Sequence, residues 1–273
     1  MSEFIKTYCP EDGIVFDPFA GSGVTAIEAL RNNRYAIVCD INPIATEIIR
    51  LTLKPIDPLK IKEGFEKVER KVKNKILNLY KTKCRRCGKE ITAICYIWHK
   101  EKTKEVRYVC PYCKDRQEKG CKLNKQDKEL LNDIMKAPIK EWYPNNPLYY
   151  PNGSPFKEKQ KYESLNELFT KRNLQASAGL MEAIESEEDK EIKDFLKIGF
   201  SSMIHLCTKM MPVRPTRPFS SVWNEHSYWY ATKFMEQNVW GKFASAIMGN
   251  QGLFEAKVES NELFKNIKFG NNF

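Results

Sequence analysis

No stretch of this chain approaches the ~18 uncharged apolar residues that a membrane span needs, and Met1 to Tyr8 lacks the apolar core of a secretory signal. Both absences point to a cytoplasmic protein. There is no internal repeat and no low-complexity tract. With hydrophobic residues at 42% and charged residues at 29%, the composition excludes a disordered, collagenous or disulfide-stapled miniature chain. What the chain does have is nine cysteines in 273 residues. A reducing compartment does not sustain structural disulfides, so they read as thiols or metal ligands.

Charge is unevenly spread. Leu59 to Lys140 holds 24 basic and 11 acidic residues, a net of +13, whereas the whole chain carries only +10. A positive field confined to one segment favours a polyanionic partner, nucleic acid first. A solvated Lys/Glu helix face is the plainer alternative.

Periodicity divides the chain into three regions: residues 1–58, 59–140 and 141–273. The first reads as strand, glycine loop, helix, strand and helix. Gly13 to Phe16 is the first strand, Val24 to Arg31 a helix, and Tyr35 to Cys39 a second strand whose continuous apolar run suggests burial on both faces. Asn42 caps a helix that starts at Pro43. Asp57-Pro58 starts another, with Ile61, Phe65, Val68, Val72, Ile76 and Leu79 at helical spacing through Tyr80. Trp142 to Phe156 is too rich in proline for a long regular element. Ser164 and Glu167 form a capping-box pattern ahead of a helix through Leu168 and Ile184, and a further helix runs from about Lys190 to Met210. Trp223, Tyr228, Trp229, Tyr230 and Trp240, near Arg214 and Arg217, read first as buried packing and secondly as base-stacking or partner-covering rings.

Asp17-Pro18-Phe19-Ala20-Gly21-Ser22-Gly23 lies between strand and helix, where backbone N–H groups and the helix dipole face a ligand. Gly21 to Ala26 also fits the dinucleotide pattern G-x-G-x-x-A. Two carboxylates discriminate. Asp17 beside a pyrophosphate is unfavourable but suits an ammonium group, and Asp40, 17 positions after Gly23, suits ribose hydroxyls, with Ile41 beside it for an adenine. Ammonium, ribose and adenine together describe S-adenosylmethionine. The candidate cofactor-binding set is Asp17, Phe19, Ala20, Gly21, Ser22, Gly23, Thr25, Asp40 and Ile41.

Cys84-x2-Cys87 and Cys110-x2-Cys113, 22 residues apart, have the spacing of a four-cysteine zinc ribbon. Between them Ile91 to Trp98 and Val106 to Val109 read as strands of a hairpin. Structural zinc is expected at these four residues. Cys95 and Cys121 stand outside the site, Cys9, Cys39 and Cys207 read as core thiols, and His99 as a turn residue. The positive excess around the ribbon makes DNA contact attractive; a plain structural support or protein dock is the other reading.

Asp17 to Gly23 followed by Asp40-Ile41-Asn42-Pro43 resembles the cofactor-binding half of prokaryotic amino-group DNA methyltransferases, which make N6-methyladenine or N4-methylcytosine. Tyr143-Pro144, Leu148 to Gly153 and Leu168 to Leu174 look like the interior of large adenine-specific members that insert a zinc ribbon after the cofactor motif. The resemblance implies an α/β fold: a partial Rossmann-like methyltransferase unit, an inserted four-cysteine zinc ribbon and a C-terminal helical region. It also implies a second motif, Asp/Asn/Ser-Pro-Pro-aromatic, which positions the target amine. Asn42-Pro43-Ile44 and Asn146-Pro147-Leu148-Tyr149 come nearest, and both lack the second proline, so no catalytic residue is named. Only two strands are evident outside the ribbon, fewer than the family's sheet has. The expectation is therefore a cofactor-binding and DNA-contacting portion or subunit, inactive alone, with a second methyltransferase chain carrying the motif. The alternative is a noncatalytic nucleic-acid-binding or regulatory protein that keeps the fold.

Overall fold

The computed structural model describes residues 1–156, 162–222 and 231–265. Trp223, Tyr228, Trp229 and Tyr230 lie outside the described residues. None of the described helices is long and apolar enough to cross a membrane. Two compact units emerge, one made of Met1–Glu63 with the chain from Met248 onward, the other of Gly64–Ile247.

The first unit comprises α1 (Ser2–Tyr8), β1 (Ile14–Asp17), α2 (Val24–Arg31), β2 (Tyr35–Val38), α3 (Pro43–Leu53) and α9 (Leu253–Phe264); α4 (Pro58–Asn78) starts here. β1 and β2 pair in parallel, Ile14 opposite Tyr35 through Asp17 opposite Val38. One face of this pair contributes Ala36 and Val38 to a core with Ala26, Ile49, Leu53 and Phe264. The other face is left uncovered by the described residues. Ile14, Phe16, Tyr35 and Ile37 are 52–63% exposed, so the expected burial of the second strand on both faces is not met: its apolar run packs on one side only. α9 was not anticipated, and its anchoring is polar. Buried Lys257 donates from Nζ to the carbonyls of Leu51, Thr52 and Lys54 at 2.7–3.0 Å, closing the C-terminal end of α3.

In the second unit, β3 (Lys81–Lys83) pairs with β4 (Glu90–Thr92), and a four-stranded antiparallel sheet has the order β7 (Cys121–Lys122), β6 (Lys102–Arg107), β5 (Cys95–His99), β8 (Lys233–Gln237). Helices α5 (Lys125–Lys136), α6 (Lys171–Glu185), α7 (Lys190–Ile204) and α8 (Val239–Met248) accompany it. The strand expected over Ile91 to Trp98 is two strands, and the return strand lies earlier than Val106 to Val109. α6 starts later than the Ser164 pattern suggests. Thr170 is its N-cap, accepting from the Asn173 N–H, while Leu165–Leu168 is a separate 3-10 turn.

The expected boundary at residue 140 falls inside this unit. β8 adds to the ribbon hairpin, Cys95 opposite Gln237 through His99 opposite Lys233. A buried network fixes that addition. Arg172 Nη1 donates to Glu236 Oε2 at 2.9 Å, with side chains 1% and 0% exposed. Trp98 Nε1 donates to the same oxygen at 2.7 Å, and Thr170 Oγ1 donates to the other. The Arg172 guanidinium lies 3.9 Å from the Tyr96 ring centroid. Beside it Tyr80 donates to Asn173 Oδ1 at 2.6 Å, and Asn173 Nδ2 donates to the carbonyls of Cys207 and Gln237. Burial, aided by the Glu236 charge, lifts the Tyr80 hydroxyl well above its ordinary pKa, so it stays a donor. Trp240 is buried among Phe65 and Phe243, at ring-centroid distances of 5.7 and 5.9 Å, so it packs rather than presents a face.

Glu236→Gln keeps the side-chain shape but strands the Arg172 charge. It should destabilise this unit by about 3–5 kcal/mol, read from urea unfolding. Arg172→Met combined with Glu236→Leu should lose less than Glu236→Gln alone.

Candidate functional site

The glycine loop follows β1 and ends in α2, and backbone bonds hold it at both ends. Ala20 N donates to Cys39 O at 2.9 Å, Gly23 N to Ala20 O at 2.8 Å, and Phe19 N to Asp17 Oδ1 at 3.0 Å. Gly23 is the N-cap of α2 with φ +84°, and a Cβ there would lie 2.7 Å from Ile49 Cγ1. That position admits only glycine on two counts. Gly21 has φ +53° but faces open space, with no heavy atom within 4 Å of where its Cβ would stand. Among the described residues, none fills the space beside the Gly21 backbone.

Asp40 closes the loop. Its Oδ2 accepts from Gly21 N and its Oδ1 from Asn42 N, each at 2.8 Å. These two backbone donors, Asn42 first, hold the carboxyl below its ordinary pKa of 3.8. A depressed carboxyl contributes fully above the ordinary value, and its contribution is lost as pH falls below it. The loop is therefore held by an ionised Asp40 at neutral pH, and the carboxylate keeps lone pairs beyond the two already engaged. Asn42 acts as a cap, Oδ1 accepting from Ile44 N at 3.0 Å.

The remaining candidates fall on both sides of the surface. Phe19 and Ile41 are 87% and 101% exposed, an unusual display for large apolar side chains next to two carboxylates. Ser22 is exposed and Thr25 half-buried. Ala20 is different: its side chain belongs to the core, and only its backbone borders the loop.

The four cysteines converge. Their sulfurs all lie within 4.8 Å of one another, with Cys84 to Cys113 at 3.5 Å and Cys87 to Cys110 at 3.6 Å. A tetrahedral zinc with bonds of about 2.3 Å requires sulfurs about 3.8 Å apart, so the donor set fits that ion. The two knuckles repeat one backbone pattern. Gly88 N donates to Cys84 O and Lys114 N to Cys110 O, both at 3.0 Å, while Cys84 N donates to Lys89 O and Cys110 N to Asp115 O. Each turn places its fifth residue at positive φ, Gly88 at +71° and Lys114 at +60°. Burial opposes a thiolate at Cys110, but the N–H groups of Cys113 and Tyr112 together with the neighbouring Cys113 and Cys84 thiols draw its titration downward. Cys95 lies outside the cluster, buried, with its thiol pushed up to about 12 by burial. Cys207 is buried as expected; Cys39 is exposed and Cys9 half-buried, so neither of these two is a core thiol. His99 ends β5 rather than forming the turn, which Lys100 and Glu101 make at positive φ.

Arg85, in the first knuckle, is engaged internally. Its Nη2 meets Asp127 Oδ2 at 2.5 Å, and Asp127 in turn forms the capping box of α5 with Asn124. This pairing ties the cysteine cluster to a helix and was not evident in the sequence, where Arg85 is one of many basic residues.

Among known proteins, a family model of DNA methylases that act at N6 or N4 matches residues 1–51. These residues cover β1, the glycine loop, α2, β2 and most of α3. The N-terminal segment is similar to a DNA methylase. That likeness supports a DNA methyltransferase-related function. No curated protein and no solved structure matches the chain.

One zinc per chain is expected on metal analysis, and Cys84→Ser with Cys110→Ser should abolish it. Lys114→Gly relieves a left-handed backbone and should raise the stability of the zinc-loaded protein by up to about 1 kcal/mol, measured by thermal unfolding.

Proposed function

We propose that this chain is the cofactor-binding and DNA-contacting portion of an S-adenosylmethionine-dependent DNA amino-methyltransferase, acting on adenine N6 or, less favoured, cytosine N4. The observation that carries this reading is the coincidence of the DNA methylase match with the Asp17, Gly21, Gly23 and Asp40 loop. Residues 1–58 form a partial Rossmann-like cofactor unit. The cofactor, when bound, supplies an electrophilic methyl group on its sulfonium sulfur.

This chain's residues have distinct tasks in such a site. The Asp17 carboxylate receives an ammonium group. Asp40 uses its spare lone pairs for ribose hydroxyls while its Gly21 and Asn42 bonds keep the loop open. Ile41 and Phe19 offer apolar surface to an adenine, and the open side of Gly21 leaves room for close approach. The ribbon and α4 supply the basic surface for DNA, with structural zinc at Cys84, Cys87, Cys110 and Cys113.

Positioning of the target amine falls to a Pro-Pro-aromatic motif on another stretch of polypeptide, since none of the 273 residues provides one. The bare face of β1 and β2 supports such a partner. Parallel strands are ordinarily covered on both faces, and the described residues leave Ile14, Phe16, Tyr35 and Ile37 uncovered.

Calorimetry should give heat with S-adenosylmethionine and none with NAD. Asp40→Asn, which leaves one oxygen for two backbone donors, should weaken binding roughly tenfold, the equivalent of one lost hydrogen bond. Heat with NAD alone would reverse the cofactor assignment. The chain by itself should transfer little or no labelled methyl to unmethylated DNA, and robust incorporation would show that a catalytic group resides in it, Asn146 to Tyr149 being the first segment to mutate.

A further inference from the structure

Several of the basic groups in the segment are held in ion pairs. Within it Lys67 pairs with Glu187, Lys73 with Glu69, Lys81 with Glu90, Arg85 with Asp127, Arg116 with Glu118 and Lys125 with Glu129. These six basic groups are engaged, yet only Glu187 lies outside the segment, so the net excess is little changed. One place is different. A groove of about 460 Å³ beside β6 and the start of α5 is lined by His99, Thr103, Lys104, Glu105, Lys122 and Lys128. Lys104, Lys122 and Lys128 are exposed, and none makes an ion pair with a described residue. The lining also holds an unsatisfied hydroxyl: Thr103 Oγ1 is buried without a hydrogen-bond partner among the described residues.

Unpaired ammonium groups around a concave surface attract an anion, and lysine recognises phosphate as a point charge without demanding one fixed geometry. Ammonium donors are usual partners of a DNA backbone, which they position without reading sequence. Glu105 is the one opposing group. It lies 3.9 Å from Lys233 through Oε1, and its Oε2 is buried without a partner. Its charge repels a phosphate from the same groove that the lysines make attractive.

We propose that this groove seats the phosphodiester backbone of duplex DNA, with Lys104, Lys122 and Lys128 as its contacts and Glu105 as a brake on affinity. The proposal rests on the reading that the ribbon region contacts DNA, and goes beyond it by naming the surface. It distinguishes the groove from the face of α4, where Lys73 is held by Glu69 one turn away and Lys67 by Glu187.

The test is fluorescence anisotropy of a labelled duplex with the full zinc-loaded chain over a range of salt. Lys104→Gln/Lys122→Gln/Lys128→Gln should lower the slope of log affinity against log salt by about 2 to 3, near 0.9 per phosphate contact, and weaken binding roughly 100-fold at 0.1 M salt. Glu105→Gln should tighten binding several-fold, a gain that a misfolded variant does not produce. A charge-matched control, Lys6→Gln/Lys190→Gln/Lys265→Gln, should keep the wild-type slope. A groove variant with an unchanged slope, a control that loses as much, or a Glu105→Gln chain that binds no tighter overturns the groove assignment. A wild-type chain that binds no duplex at low salt overturns the DNA-contact reading itself.

Discussion

The buried pair between Arg172 and Glu236 is the constraint on which the second unit depends. Two opposite charges, each about 1% exposed or less, are stable only if every neighbour cooperates. Trp98 from β5, Thr170 from the cap of α6 and the ring of Tyr96 supply that cooperation. The pair therefore binds three elements that are far apart in sequence: the ribbon hairpin, α6 and β8. It also makes the hairpin part of the surrounding fold. A four-cysteine ribbon can be a detachable module, but here its central strand has β8 as a neighbour on one edge and β6 on the other.

The same physics explains which parts of the fold were legible in advance. Val24–Arg31 and the helix from Pro43 carry their own start signals and short-range periodicity, and both are found where the sequence puts them. The cysteine cluster was legible because metal ligation imposes spacing. β8 was not. Lys233–Gln237 is buried from its second residue onward, so it lacks the alternation that marks a half-exposed strand, and its partner β5 lies far away in sequence. α9 was hidden for a related reason: buried Lys257 looks like a surface lysine until its carbonyl partners on α3 are in place. Conversely, the apolar run Tyr35 to Cys39 suggested a strand covered on both sides, and the covering layer is not contributed by the described residues.

In the glycine loop, the groups expected to meet a ligand first serve the fold. Asp40 bonds to Gly21 and Asn42, and Asp17 bonds to Phe19, so both carboxylates shape the loop whose edge they line. A loop preset in this way has less to reorganise when a ligand arrives. Polar backbone, two carboxylates and two exposed apolar side chains then occupy one short surface, beside a sheet face that the described residues leave uncovered.

The central claim is that the loop from Asp17 to Gly23, closed by Asp40, is an S-adenosylmethionine site. Backbone amide spectra of the uniformly 15N-labelled chain, titrated with S-adenosylmethionine, test it residue by residue. The amides of Gly21, Gly23, Asp40 and Ile41 should shift together and saturably, while those of Cys84 to Cys113 stay in place and NAD leaves the loop unmoved. Shifts that bypass the loop, or that NAD reproduces, would contradict the account.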